Sequence, residues 1–292
     1  MLKELTIFTP TYNRKYILPQ LYKSLCEQSC KDFVWLVIDD GSTDCTEEMV
    51  QSWMKEKQIE IKYYYQENRG KAYAHNRGVE LCDTELFVCV DSDDYLSSPD
   101  VVKDNLDYWR DNITLASSPT ICGMVSYRKM LNSPQGRFPD GLQMATLSEL
   151  NDSGYRGETT LVFKTDVLKH YFFPEIEGEK FMTEAFLYDQ LDEKYKLLVF
   201  PYYSQDCMYQ PDGLTRNIWD VLFRNPKGYR MYYNQCIKLN KGNKQRNMRM
   251  YIACSLIAKD GKLFASSNDR LYLLLTLPLG IYQYYKLKNR KW

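Results

Sequence analysis

Apolar residues fall along the first third of the chain in short runs that alternate with segments of helical periodicity. Residues 5–8 form one run, broken by Thr9-Pro10-Thr11-Tyr12-Asn13-Arg14. Ile17, Leu18, Leu21, Tyr22 and Leu25 then recur at the spacing of one helix face. Residues 33–38 are continuously apolar and stop at Asp39-Asp40-Gly41-Ser42. A helix is expected after Asp44, with Glu47 three residues on as its partner in an Asp-based capping box. Residues 59–65 are rich in β-formers, residues 70–81 read as helix, and residues 86–90 are a fourth strand-like run ending at Asp91-Ser92-Asp93-Asp94. Runs apolar on both faces suit parallel strands covered by helices on either side. The expected fold class is α/β, with a doubly wound, mostly parallel sheet over about the first 105 residues.

Beyond that point the alternation weakens. Strands are expected over 121–127, 159–163, 196–200 and 203–209, helices over 179–194, 218–240 and 246–259, and a loop over 133–141, where Pro134, Gly136, Pro139 and Gly141 cluster. The polar breaks after the first, second and fourth runs all stand at the carboxyl ends of strands. In open α/β sheets that edge binds ligands.

Composition narrows the picture. Of 292 residues, 44% are apolar and 26% charged, which excludes wholesale disorder and leaves one large domain with an appendage, or two domains. The 38 basic and 38 acidic residues cancel, which argues against a general nucleic-acid binder. Residues 238–292 nevertheless carry 12 Lys/Arg against two Asp, so a tail of +10 balances a body of −10. Nine scattered cysteines without a CxxC pair are expected to be free thiols in a reducing compartment. Two histidines, His75 and His170, exclude a His-rich metal site, and both are expected to serve structure or face solvent. The amino terminus opens on a structured-looking segment, without the pattern of a signal peptide.

The chemistry concentrates in three places. Asp91-Ser92-Asp93-Asp94 crowds three carboxylates into four residues, and such crowding raises their pKa values unless a cation is present. A divalent ion shared with a substrate phosphate is one such cation, since Mg²⁺ usually takes only one or two protein carboxylates. Asp39-Asp40 offers acceptors for a base N–H or a ribose hydroxyl. Arg69-Gly70-Lys71 opens a helix and forms a natural anion site. Each alone is equally compatible with an ordinary polar turn.

The four segments Thr9–Arg14, Asp39-Asp40-Gly41-Ser42-Thr43-Asp44, Asn68-Arg69-Gly70-Lys71 and Asp91-Ser92-Asp93-Asp94 stand in that order along the chain. Together they resemble the family 2 glycosyltransferases, which have the GT-A nucleotide-diphospho-sugar fold. The resemblance is clear over residues 3–110 and thinner to about 210. It implies a nucleotide-sugar donor, usually a UDP-sugar, with Mg²⁺ or Mn²⁺ and inversion at the anomeric carbon. Carried onto this chain, Thr9, Pro10, Thr11 and Tyr12 line the nucleoside pocket, Asp40 with Asp39 beside it binds base or ribose, and Lys71 and Ser92 lie by the nucleotide. Asp91 and Asp93 match the family's DxD motif, with Asp93 the direct metal ligand and Asp91 toward ribose or a metal-bound water. On this reading residues 1–105 form the nucleotide-sugar half of a domain, residues 106–210 its acceptor half, and residues 211–292 a helical, basic, membrane-associated extension.

Transfer needs a base to take the acceptor's proton. The family usually supplies it from a Glu-Asp pair, and the matching stretch here is Thr183-Glu184-Ala185-Phe186, with alanine at the Asp position. Glu184 is the expected base, Asp189 and Asp192 are alternatives turned to other faces of the helix, and Glu158 is only a secondary candidate for contact with acceptor hydroxyls. The stretch 271–287 is strongly apolar, has no charge between Arg270 and Lys286, and is interrupted by Pro278 and Gly280. It is too short to span a bilayer; its tyrosines and the following Lys286, Lys288, Arg290 and Lys291 suit an interfacial anchor, or a packed terminal helix at a homodimer contact. The expectation is a cytoplasmic enzyme, peripheral on the inner membrane face, that acts on a glycan or lipid-linked acceptor in surface polysaccharide assembly such as capsule. The rivals are a nucleotidyltransferase, disfavoured because Thr9–Arg14 lacks the glycines of an activating loop, and an inactive nucleotide-sugar-binding scaffold, favoured by Ala185.

Overall fold

The computed structural model describes residues 3–130, 136–207 and 218–289. Residues 1–172 and 194–210 form one compact unit, and residues 173–193 and 211–292 form a second.

The first unit is built on β1 (Leu5–Thr11), β2 (Phe33–Asp39), β3 (Glu60–Tyr65), β4 (Leu86–Cys89), β5 (Tyr95–Leu96), β6 (Ile121–Met130), β7 (Met144–Ala145), β8 (Glu158–Lys164) and β9 (Lys196–Cys207). Its helices are α1 (Leu18–Cys26), α2 (Thr46–Glu56), α3 (Lys71–Leu81), α4 (Val101–Asp111), α5 (Ile113–Ala116), α6 (Leu147–Asp152) and α7 (Thr165–Leu168). The strands lie in the order β3-β2-β1-β4-β8-β6-β9-β5, with β7 on β9. From β3 to β4 every pairing is parallel; β8 then runs antiparallel to both β4 and β6, and β9 parallel to β6. The sheet is therefore mixed, with its parallel part formed by the first four strands. Every residue of β1 and β2 is buried, as strands covered on both faces require. Trp35 anchors the packing, stacked with Tyr22 and Trp53 at ring separations of 6.0 and 5.9 Å.

The chain winds outward from β1 to β3, then returns to β4 on the other side of β1. That reversal opens the crevice where doubly wound sheets bind ligands. Thr11 lies level with Asp39, and Asp39 with Tyr65, so the polar breaks emerge along one edge.

Two local expectations are corrected in this unit. The capping box before α2 does not form, because Cys45 in the left-handed region is the N-cap. Asp44 instead accepts the backbone N–H of Lys15 at 2.9 Å and of Thr46 at 3.2 Å, tying the β1 and β2 loops together. Residues 196–207 form one strand, where two were expected, and bend through register shifts against β6; residues 208 and 209 lie outside the described residues, as do 133–135 of the expected loop.

The second unit contains α8 (Ala185–Asp192), α9 (Ile218–Arg224), α10 (Pro226–Lys238), α11 (Lys244–Ala258) and α12 (Arg270–Lys288). The helix expected over 218–240 breaks at Asn225, which precedes Pro226 and leaves the helical region at φ −129°, ψ 50°. The Asn225 side-chain oxygen accepts N–H groups from Lys180 at 2.9 Å and Phe181 at 3.0 Å, using backbone that was expected to belong to a helix over 179–194. The helix α12 runs through Pro278 and Gly280, where interruption was expected. A Cβ on Gly280 would stand 2.5 Å from Ile252 Cβ, so α11 and α12 touch backbone to side chain there. Among the described residues, no helix is long and apolar enough to cross a membrane.

Candidate active site

At the end of β1, Thr9 accepts the indole N–H of buried Trp35 at 3.0 Å, which fixes the strand end from behind. Pro10 and Thr11 are buried, and among the described residues the Thr11 hydroxyl has no hydrogen-bond partner. Tyr12 follows with its ring 49% exposed.

The next turn is stitched to the first. The amide of Asn13 donates to Ser42 Oγ at 2.9 Å, and the amide of Thr43 donates to Asn13 Oδ1 at 2.8 Å. Asp39 is fully buried, accepting the Ser42 N–H at 2.7 Å and the Tyr63 hydroxyl at 2.8 Å. Asp40 is also buried and accepts from the Gln66 side chain, the Arg69 amide and the Gly70 amide at 2.7, 2.9 and 2.7 Å. Both carboxylates thus have protein donors, and Asp40 neutralises and aims the amino end of α3. Gly41 permits the approach: its φ is +88°, and a Cβ there would stand 2.9 Å from the Asn68 nitrogen.

Lys71, the first residue of α3, reaches Asp91 Oδ1 at 2.6 Å. On the other side Arg128, from β6, donates to Asp91 Oδ2 at 3.3 Å and to Asp94. Burial works against the Asp91 anion, but Lys71 and Arg128 outweigh it and hold the carboxyl well below the usual carboxylate range. Burial likewise opposes the Arg128 charge, and Asp94 and Asp91 more than restore it. Burial also pushes the Asp94 carboxyl up, to about 6, despite the Arg128 charge beside it. Asp93 is raised too. Burial first, then the neighbouring Asp91 charge, raise its pKa, and the described residues give it no ion-pair partner.

The donor set suits a hard divalent cation only as a partial shell. Among the described residues no three His, Cys, Asp or Glu side chains group as a complete metal cage. Asp93 provides an oxygen ligand whose raised pKa a nearby cation would lower, which fits an ion that completes its shell from water and substrate phosphate.

Thr9, Pro10, Thr11, Tyr12, Asp39, Asp40, Lys71, Asp91, Ser92 and Asp93 therefore all lie along the carboxyl edge of the first unit. Glu184 belongs to the second unit, where it caps α8 in αR geometry. Asp192 is drawn to Lys241 at 3.5 Å, whereas burial pushes Asp189 up to about 6. Glu158, the first residue of β8, is exposed. His75 packs edge-on against Phe8 and Phe87, and His170 is exposed. Arg128 was not anticipated. The expected strand stops at Tyr127, and Arg128 followed by Lys129 reads in sequence as an exposed basic end, so no sequence signal marks Arg128 as the carboxylates' partner.

The family model for glycosyl transferase family 2 matches residues 6–172. A Campylobacter jejuni GalNAc(5)-diNAcBac-PP-undecaprenol beta-1,3-glucosyltransferase is 34% identical over 97 residues, covering 32% of this chain and 31% of that protein. The chain spans about a fifth of the length of other curated relatives, 18% and 22% for glycosyltransferases of Rickettsia conorii and Rickettsia felis at 34% and 32% identity over 37% and 47% of this chain. The fold matches Staphylococcus aureus TarS 1-349 in complex with UDP-GlcNAc at TM-score 0.64 and 17% identity, over 98% of this chain and 90% of that one. It also matches mannosyltransferase PcManGT from Pyrobaculum calidifontis, in complex with GDP-Man and Mn2+, at TM-score 0.55 and 16% identity over 100% and 77% of the two chains. The fold is GT-A, and the match of the family model across more than half of the residues makes this chain a member of the family 2 glycosyltransferases.

Proposed function

We propose that this protein is a metal-dependent, inverting glycosyltransferase. It moves a sugar from a nucleotide-sugar, a UDP-sugar on the present reading, to a glycan or lipid-linked acceptor during surface polysaccharide assembly, at the cytoplasmic face of a membrane. The observation that carries this reading is the asymmetry of the DxD pair: Asp91 is held by Lys71 and Arg128, while Asp93 stands without an ion-pair partner among the described residues.

Each residue has a role on this reading. The Thr11 hydroxyl and the Tyr12 ring meet the nucleoside. Asp40 acts by fixing the Arg69 and Gly70 amides, which aims Lys71 and the α3 amino end at the phosphates. Asp39 supports the same turn through Ser42. Asp93 would hold Mg²⁺ or Mn²⁺, and Asp91 and Ser92 lie toward the ribose. A divalent ion bound there supplies neutralisation of the charge that develops on the leaving diphosphate. Glu184 takes the proton of the acceptor hydroxyl. Asp189 is the second reading, because a carboxyl raised to about 6 is better matched to proton transfer near neutral pH.

The test is calorimetry of UDP and GDP compounds with Mn²⁺. Wild-type protein binds a diphosphate in a manganese-dependent manner, and Asp93→Asn weakens that binding at least about tenfold, a loss of about 1.4 kcal/mol. Manganese-independent binding, or an unaffected Asp93→Asn variant, rejects the metal assignment.

A further inference from the structure

The helix α12 buries one face and leaves an equally apolar one outside. Leu273, Thr276, Gly280 and Leu287 are buried, with Gly280 against Ile252 of α11. On the other side Leu271 and Leu275 are each 71% exposed, Tyr282 is 62% exposed, and Leu274 and Tyr285 are both 55% exposed. These positions follow the three- and four-residue steps of one helix face, so they form a continuous stripe about 21 Å long. Leucine exposed to that degree, repeated along one line, exceeds the scattered apolar exposure of an ordinary surface.

Charge indicates what covers it. Exposed Arg270 opens the helix, and exposed Lys286 and Lys288 stand in its last turn. Lys286 falls four residues after Tyr282 and so shares the stripe's face. Just before the helix, Lys262 and Phe264 are exposed as well. In the described part of α12 no acidic side chain accompanies the stripe. Apolar side chains along the middle, tyrosines toward one end and cations at both ends are the order in which a bilayer interface presents acyl chains and anionic headgroups. A protein partner of ordinary polarity would leave these cations unmatched.

We infer that the outward face of α12, from Leu271 to Tyr285 with Lys286 and Lys288, docks flat on an anionic lipid surface. The helix lies in the headgroup region and does not cross it. This deepens the membrane-side location proposed above, yet it is read without donor or acceptor, so its failure is separate from that of the transfer reaction.

The experiment is co-sedimentation of the full chain with phosphatidylcholine vesicles, with and without phosphatidylglycerol. Wild-type protein sediments with the phosphatidylglycerol vesicles and is released as salt rises. Leu271→Ser with Leu275→Ser removes binding to both vesicle types. Lys286→Gln with Lys288→Gln lowers binding to the anionic vesicles about fivefold for each lysine and keeps the fold should the leucine variant lose it. Wild-type protein left in the supernatant with anionic vesicles overturns the inference. So does a dimer in light scattering that the leucine variant breaks into monomers, which assigns the face to a second copy of this chain.

Discussion

Asp189 lies five residues beyond Glu184, and burial alters its titration. A carboxyl raised from 3.8 to about 6 stays protonated in the folded state where the unfolded chain has already lost its proton. The folded state then holds more protons between those values, so stability falls as pH rises from about 4 to about 6. Lys241 opposes this, and Asp192 and Glu193 add to it. Discounted for partial exposure, the loss is about 1–2 kcal/mol. Asp189→Asn should therefore raise stability at pH 7 by that amount in urea denaturation and flatten the acid-side slope. Turnover separates the two residues: the true base, changed to its amide, loses about a hundredfold or more in kcat. If Glu184→Gln keeps full activity while Asp189→Asn loses it, the base lies one helical turn beyond the alanine. Much of the sheet's carboxyl edge is legible residue by residue, because Asp39-Asp40 and Asp91-Ser92-Asp93-Asp94 interrupt apolar strands. What was not legible was the partner of each. Arg128 is 37 positions from Asp91, and only the β4–β8–β6 neighbourhood of the sheet brings them within 3.3 Å.

At the scale of elements, legibility followed burial. The strands β2 and β4 are written as apolar runs and β1 as a mostly apolar one interrupted by Thr6, since a strand covered on both faces has little polar side to show. The strands β5 and β7 have two residues each and carry no periodicity, so only their pairing with β9 defines them. The split between α9 and α10 at Pro226 is missed by reading one helix over 218–240, and the matching contraction toward α8 depends on the Asn225 side chain catching distant backbone. In α12 the proline and glycine suggested a stop, and packing overrode them. That packing makes a sharp prediction for Gly280→Ala. Helix propensity favours alanine by about 1 kcal/mol. A Cβ at 2.5 Å from Ile252 Cβ meets a branched, rigid neighbour, and overpacking of this kind costs about 1–3 kcal/mol. The overlap should win, giving a net loss in denaturant midpoint. Ile252→Ala placed on top of Gly280→Ala should recover part of it, whereas independent sites would simply add.

Across the whole molecule the charge asymmetry and the division into units follow different lines. The tail from 238 to 292 carries +10 and lies entirely in the second unit, while every proposed donor contact lies in the first. A donor should therefore report on one unit alone. At a concentration a hundred times its Kd, a nucleotide-sugar with Mn²⁺ stabilises the state that binds it by about 2.7 kcal/mol. For a unit of this size that corresponds to a rise of about 5–10 °C in its melting transition. Hydrogen exchange localises the effect: protection should appear in the segments around Thr11, Asp40, Lys71 and Asp93, which are tied together by Asn13–Ser42, Asp40–Gly70 and Lys71–Asp91 contacts. The exchange of α12 should stay unchanged on adding donor and slow only with anionic vesicles. Donor-induced protection centred on α10 to α12, with none at the strand ends, would move the nucleotide site out of the first unit and strip Asp93 of its proposed role as metal ligand.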